Sequence, residues 1–218
     1  MSSHIEIATR IVRVLLSPDT AVGIMGGILS VPKDLAYMAY GFMDTDSRSF
    51  RQDERIRMTH AIRFGILQNS HLKKSIETTL DVFSQFVPGS NKDKLAGQVT
   101  GSMIGRFLTN TVLTTSLLNA VVFKSGMLLK FGVGTLGNLL LINGMAERSI
   151  YTSMRLKKYN PELWQALRAK NYDFLYFLIE PAVQPFTEAL HVRRTQGLPA
   201  FEKILDLVEE KLNEAQIE

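Results

Sequence analysis

No cysteine occurs among the 218 residues. Disulfides, thiolate metal sites and cysteine nucleophiles are therefore excluded. Histidine is scarce: His4, His60, His71 and His191 stand far apart, and none falls in a metal-ligand pair such as H-E-x-x-H. There is no G-x-S-x-G elbow and no G-x-x-x-x-G-K-S/T loop. Gly132, Gly134 and Gly137 match G-x-G-x-x-G in letters, but they sit in an apolar helical run with no strand before them, so a nucleotide loop is rejected. The neighbouring carboxylates Glu209 and Glu210 belong to a solvated helix. Catalysis has no residues to rest on, and the chain is read as a non-enzyme without cofactor or metal.

A cleavable secretion signal is not expected either. Arg10 and Arg13 precede an apolar run, but Ser17-Pro18-Asp19 cuts it and no small-residue cleavage site follows. Export, if it occurs, is expected by a route that does not read such a signal. A chain with no thiols tolerates a change of redox compartment.

Lys and Arg total 25 against 21 Asp and Glu, a formal charge of +4 with a pI near 9.3. That excess suits an anionic membrane surface. Nucleic acid is not expected as a partner, because no helix-turn-helix, RNP-like or zinc pattern accompanies the charge.

Helical periodicity dominates, and the length suits one all-helical domain, 1–218. A short amphipathic helix is expected over 5–16. Residues 34–43 form an apolar and aromatic segment with Tyr37, Tyr40 and Phe42. In 48–63, Arg48, Arg51, Arg55, Arg57 and Arg63 alternate with Ile56 and Ile62, which reads as an amphipathic helix with a basic outer face. Leu72, Ile76, Leu80 and Phe83 continue at helical spacing until Pro88-Gly89-Ser90. Asn160-Pro161-Glu162 is a helix start followed by Trp164. The aromatics of 171–179 read as core, with Pro181 and Pro185 expected to kink or end that segment. In the last helix Phe201, Leu205, Val208 and Leu212 line one face and acidic residues the other.

The organising stretch is 99–146. It holds two uncharged, mainly apolar runs, 107–123 and 131–146, with a connection between them bounded by Lys124 and Lys130. Each run is roughly 17 residues, at the short edge of the ~20 that span a bilayer. The nine large apolar residues of the first run favour insertion by about 3 to 5 kcal/mol together, opposed by its threonines and asparagines. Asn138, Asn143 and several glycines offset the second. Neither run is a committed anchor. Thr111, Thr115 and Asn119 recur every four residues and so share one helical face, able to border water or a neighbouring helix. Gly97, Gly101 and Gly105 spell a zipper that lets helices approach closely, either in lipid or at a crowded crossing in a soluble bundle.

An all-helical bundle of this size, wrapped around the hydrophobic hairpin at 99–146, resembles the pore-forming domain of colicins. It is similar also to small ion-selective pore-forming effectors delivered by bacterial type VI secretion. The resemblance implies an antibacterial toxin that rests in the producer's cytoplasm and depolarises the target cell's inner membrane. It also implies a cognate immunity protein and a secretion-apparatus component as partners. On the helical geometry, Leu117 drives insertion and Thr111, Thr115, Asn119 and Asn138 line a narrow path for small ions. Gly97, Gly101 and Gly105 pack helices, within one copy or in a homo-oligomer. Arg55 and Arg63 meet anionic lipid, and Lys124 and Lys130 mark the hairpin tip. The alternatives are a small constitutive membrane protein, and a soluble helical adaptor or immunity protein whose hairpin never leaves the bundle.

Overall fold

Ten α-helices and one 3-10 turn make up the described part of this computed structural model, with no strand among the described residues. The expected all-helical bundle is what the chain forms. The structure describes residues 2–18, 31–87, 103–108, 111–130 and 135–217, of which 31–32, 123–130, 135–142 and 216–217 by backbone alone. The helices are α1 (His4–Leu16), α2 (Val31–Met43), α3 (Arg48–Arg63), α4 (Asn69–Ser84), α5 (Met103–Leu108), α6 (Thr111–Lys130), α7 (Thr135–Tyr159), α8 (Pro161–Arg168), α9 (Tyr176–Gln196) and α10 (Leu198–Ile217), with the 3-10 turn at Tyr172–Phe174. They fall into two compact units built from separated stretches of chain.

The first unit draws on Met1–Met25, Ile76–Ala120 and Ala182–Glu218. Ser3 caps α1 by accepting the Glu6 backbone N–H at 3.2 Å. The apolar face of α1, Ile7, Ala8, Ile11, Val14 and Leu15, packs on α10 and is fully buried. From α10 the expected face, Phe201, Leu205, Val208 and Leu212, is buried. Phe83 of α4 meets Phe186 and Phe201 edge-on, with centroids 5.2 and 5.8 Å away. Burial of each such ring contributes about 1.5–3 kcal/mol, so this unit has a hydrocarbon core. Glu209 leaves the acidic outer face and accepts the backbone N–H groups of Met103 and Ile104, which caps the short α5.

The second unit draws on Gly26–Ser75 and Val121–Pro181 and is organised on α7, against which α2, α3, α8 and the 3-10 turn pack. Two glycines let α2 come close. A Cβ on Gly144 would stand 2.6 Å from the Asp34 carbonyl oxygen, and one on Gly41 would stand 2.9 Å from both Arg51 Nη1 and Glu147 Oε2. Tyr151 of α7 stacks on Tyr37 and meets Tyr40 edge-on, with centroids 5.9 and 5.1 Å away.

Several expectations are corrected. The stretch between Lys124 and Lys130, read as the connection of a hairpin, is helix: α6 runs on through Lys130. It holds no proline and a single glycine, and its Met127, Leu128 and Leu129 are good helix formers, so nothing in it stops the ladder. Pro181 and Pro185 do not end their segment either, because α9 is continuous from Tyr176 to Gln196. Each proline costs a helix about 3 kcal/mol. The burial of Ala182, Val183 and Phe186 around them offsets that loss. The largest inversion is in α3, whose buried positions are Arg51, Glu54, Met58 and Ala61 while Ile56 and Ile62 are exposed. Most of the segment that precedes α5 and the zipper residues Gly97 and Gly101 lie outside the described residues.

The close approach of α2 to α7 makes a prediction. Gly144→Ala gains roughly 1 kcal/mol in helix propensity, but its methyl group must displace backbone and not a flexible side chain. Overpacking of that kind costs about 1–3 kcal/mol. Urea unfolding followed by Trp164 fluorescence should therefore show a lower midpoint for the variant.

Candidate functional site

The polar stripe of α6 faces water. Thr111, Thr115 and Asn119 are exposed along one side of the helix, while Leu113, Leu117 and Val121 on the other are buried. The Thr115 hydroxyl donates to the Thr111 carbonyl at 2.8 Å. Leu117, the residue expected to drive insertion, is wholly inside the first unit. Gly105 is buried in α5, and Asn138 lies in the first turn of α7. Residues 131–134 between α6 and α7 are outside the described part. Among the described residues no helix is long and apolar enough to cross a membrane.

Immediately after the second apolar run, α7 turns charged, and there the second unit places its densest polar chemistry. Glu147 is buried against α3 and accepts from Arg51 Nη1 at 3.1 Å and from Arg55 Nη2. Arg51 is buried too; its other nitrogens donate to the carbonyls of Gly41 and Asp44 at 2.7 and 2.5 Å and to Ser47 Oγ at 3.0 Å. Arg148, next along α7, reaches the opposite way to buried Asp34 of α2 at 3.3 Å. Arg155 forks onto both oxygens of Glu180 at 2.6 and 2.7 Å and also reaches Tyr37.

A second cluster closes around α8. Asp173, fully buried in the 3-10 turn, accepts from Arg57, Arg168 and the Ser153 hydroxyl. Glu54 takes the same two guanidinium groups from the other side, at 2.5 Å from Arg57 and 2.7 Å from Arg168. Trp164 donates its indole N–H to Ser153 Oγ at 3.0 Å, so the lone tryptophan ends a hydrogen-bonded chain that leads to Asp173. Asn171 accepts from Arg57 at 2.8 Å and takes a left-handed backbone, with φ at 59°, to begin the turn. Arg57 also lies over Phe174, its guanidinium carbon 3.6 Å from the ring centre.

These partners set the carboxyl groups apart. Burial pushes the Asp34 carboxyl up, against the pull of Arg148. Glu54 is buried as well, but hydrogen bonds from Arg168 and Arg57 outweigh burial and hold it below the usual carboxylate range. Asp44 is lowered by hydrogen bonds from Ser47 and Tyr151. Burial, helped by the bond to Asp44, pushes the Tyr151 hydroxyl up to about 12.

The basic helices therefore offer lipid less charge than expected. Arg51, Arg57, Arg148 and Arg155 are committed to carboxylates inside the second unit. Arg55 is half exposed but shares Glu147. Arg63 is exposed at the end of α3. What remains is a cleft of about 350 Å³ at the junction of α2 and α3, lined by Gly41, Phe42, Thr45, Arg48, Gln52 and Arg55. A smaller hollow of about 260 Å³ shares Gly41, Phe42 and Arg55 and reaches Asn143 and Glu147. The described residues hold no group of three or more metal-ligating side chains.

No protein-family model, curated protein or solved structure matches this chain.

Glu54 gives the pH dependence. Its folded-state pKa lies below the ordinary value of 4.5, so the unfolded chain takes up the proton first as pH falls. The stability it contributes is complete above about pH 4.5 and is lost as pH falls through the depressed folded value. Asp34, raised, acts with the opposite sign: its contribution is greatest at low pH and disappears as pH rises through its folded value. Glu54→Gln should cost about 2–4 kcal/mol at pH 7, the upper part of the range for a broken buried pair being reduced because both arginines keep some access to water. Urea titrations read by Trp164 fluorescence should show that gap narrowing below about pH 4.5.

Proposed function

We propose that the protein is a membrane-active helical toxin that depolarises a target cell's inner membrane by letting small ions pass through an inserted pair of helices, α6 and the start of α7. The observation that carries this reading is the uncharged first part of α6, with its row of polar residues opposite a buried apolar one. From Thr111 to Phe123 the helix has no charged residue, one side buries Leu113, Leu117 and Val121, and the other presents Thr111, Thr115 and Asn119. In lipid such a helix would turn hydroxyls and an amide toward water and hydrocarbon toward acyl chains. Because no described helix is long and apolar enough to cross alone, insertion would need the polar stripe shielded by α7, by a second copy, or by a water-filled path. Small monovalent ions are the fitting cargo, since the stripe carries no ring of charge. An immunity protein in the producing cell and a secretion-apparatus carrier belong to this proposal.

One observation favours a second reading, a soluble interaction module. Glu147 and Arg148 fasten the middle of α7 to α3 and α2 through buried ion pairs, and leaving one member of such a pair buried without its partner costs about 3–5 kcal/mol. The membrane would have to repay that cost, or α7 would have to unfold only ahead of Glu147.

Potassium release from dye-loaded vesicles, driven by detergent-free protein, decides between them. Leu117→Asp is a poor probe, because it puts a charge into the first unit's core and would unfold it. Thr115 is exposed, so Thr115→Lys keeps the fold. Under the toxin reading the wild type leaks potassium, and Thr115→Lys reduces the potassium leak several-fold and shifts preference toward chloride. Vesicles that stay tight with the wild type favour the interaction module.

A further inference from the structure

Helix α2 is apolar on both sides, and only one side is used. Asp34, Tyr37, Met38 and Gly41 turn toward α7, whereas Leu35, Tyr40, Phe42 and Met43 are exposed, with Phe42 80% and Met43 73% accessible. Leu35, Ala39, Phe42 and Met43 follow helical spacing, so they form one continuous face, closed on its flank by Tyr40. That face ends where the arginine cleft begins, and Phe42 belongs to both.

The cleft is short of negative charge. Arg48, Arg51 and Arg55 line it or its floor against two carboxylates, Asp44 and Glu147. Both carboxylates are already engaged, Asp44 by the Ser47 and Tyr151 hydroxyls and Glu147 by Arg51 and Arg55. Arg48 has no side-chain hydrogen bond or ion pair with any described residue, and Gln52 and Thr45 add polar groups beside it. One guanidinium without a partner among the described residues and one half-exposed one thus face a hollow large enough for a phosphate, at the edge of a hydrocarbon face.

We infer that this face of α2 and the adjoining cleft form a docking surface for an anionic phospholipid bilayer, with a headgroup phosphate between Arg48 and Arg55 and the side chains of Phe42 and Met43 among the acyl chains. The pairing of charge and hydrocarbon argues for lipid over a protein partner: an aromatic and a thioether side chain enter the interfacial layer while arginines stay at phosphate depth. The inference rests on the reading that the protein works at a membrane, but it does not need α6 to insert.

Sedimentation of the full chain with vesicles tests it. The vesicles are pure phosphatidylcholine, or phosphatidylcholine with one third phosphatidylglycerol. The expected result is binding to the anionic vesicles that weakens as salt is raised. Arg48→Gln should weaken it about fivefold. Phe42→Ser with Met43→Ser should weaken it more than about tenfold. Both changes are at exposed positions, so unchanged urea midpoints are expected to show that the fold is retained. Wild-type binding that neither variant alters overturns the docking surface and leaves the membrane reading standing, whereas no binding of the wild type to either vesicle overturns both. Saturation by soluble inorganic phosphate without vesicle binding, or a dimer that the Phe42 and Met43 changes dissolve while lipid binding persists, also overturns it.

Discussion

The second unit depends on charge kept out of water. Glu147 and Asp173 are almost completely buried, and each is held by two arginines from elsewhere in the chain. Such pairs barely repay their desolvation unless every remaining lone pair and N–H is also satisfied. Here, among the described residues, every buried side-chain nitrogen or oxygen has at least one hydrogen-bond partner. The demand for complete satisfaction explains features that look unrelated. It fixes Ser47 and Ser153 where hydroxyls must bridge, it keeps Gly41 free of a side chain so that Arg51 can reach its carbonyl, and it turns α3 so that Arg51 and Glu54 point inward.

This is also why the sequence was readable in part only. Wherever hydrocarbon decides the packing, the 3.6-residue period was sufficient. The buried faces of α1 and α10 follow from it, the aromatic core of 172–179 from its run of rings, and the start of α8 from the proline at its first position. In α3 the same rule gave the helix and the wrong side of it. Hydrophobicity alone turns Ile56 and Ile62 inward, but the buried acids Glu147 and Asp173 claim the arginines first, and an unpaired buried carboxylate costs more than an exposed isoleucine. A signal was present. Asp34 stands in an apolar helix and Asp173 in an aromatic run, and a lone acid in such company implies a buried cationic partner.

The stretch read as a membrane hairpin illustrates a different difficulty. Composition shows two apolar runs, and the pair of lysines between them invites the reading of a bend. Lysine does not break a helix, and α6 continues to Lys130. The helical face of Thr111, Thr115 and Asn119 was legible, because period depends on local geometry alone. Whether α6 stays packed through Leu117 depends on a balance of environments, which no pattern of letters records.

The two units answer temperature differently. Hydrophobic burial of the Phe83, Phe186 and Phe201 kind weakens as water is cooled. The desolvation cost of paired ions shrinks as water is warmed, because hydration of charge carries unfavourable entropy. Cold therefore weakens the aromatic core of the first unit, whereas the ion pairs of the second cost less to keep out of water as the temperature rises.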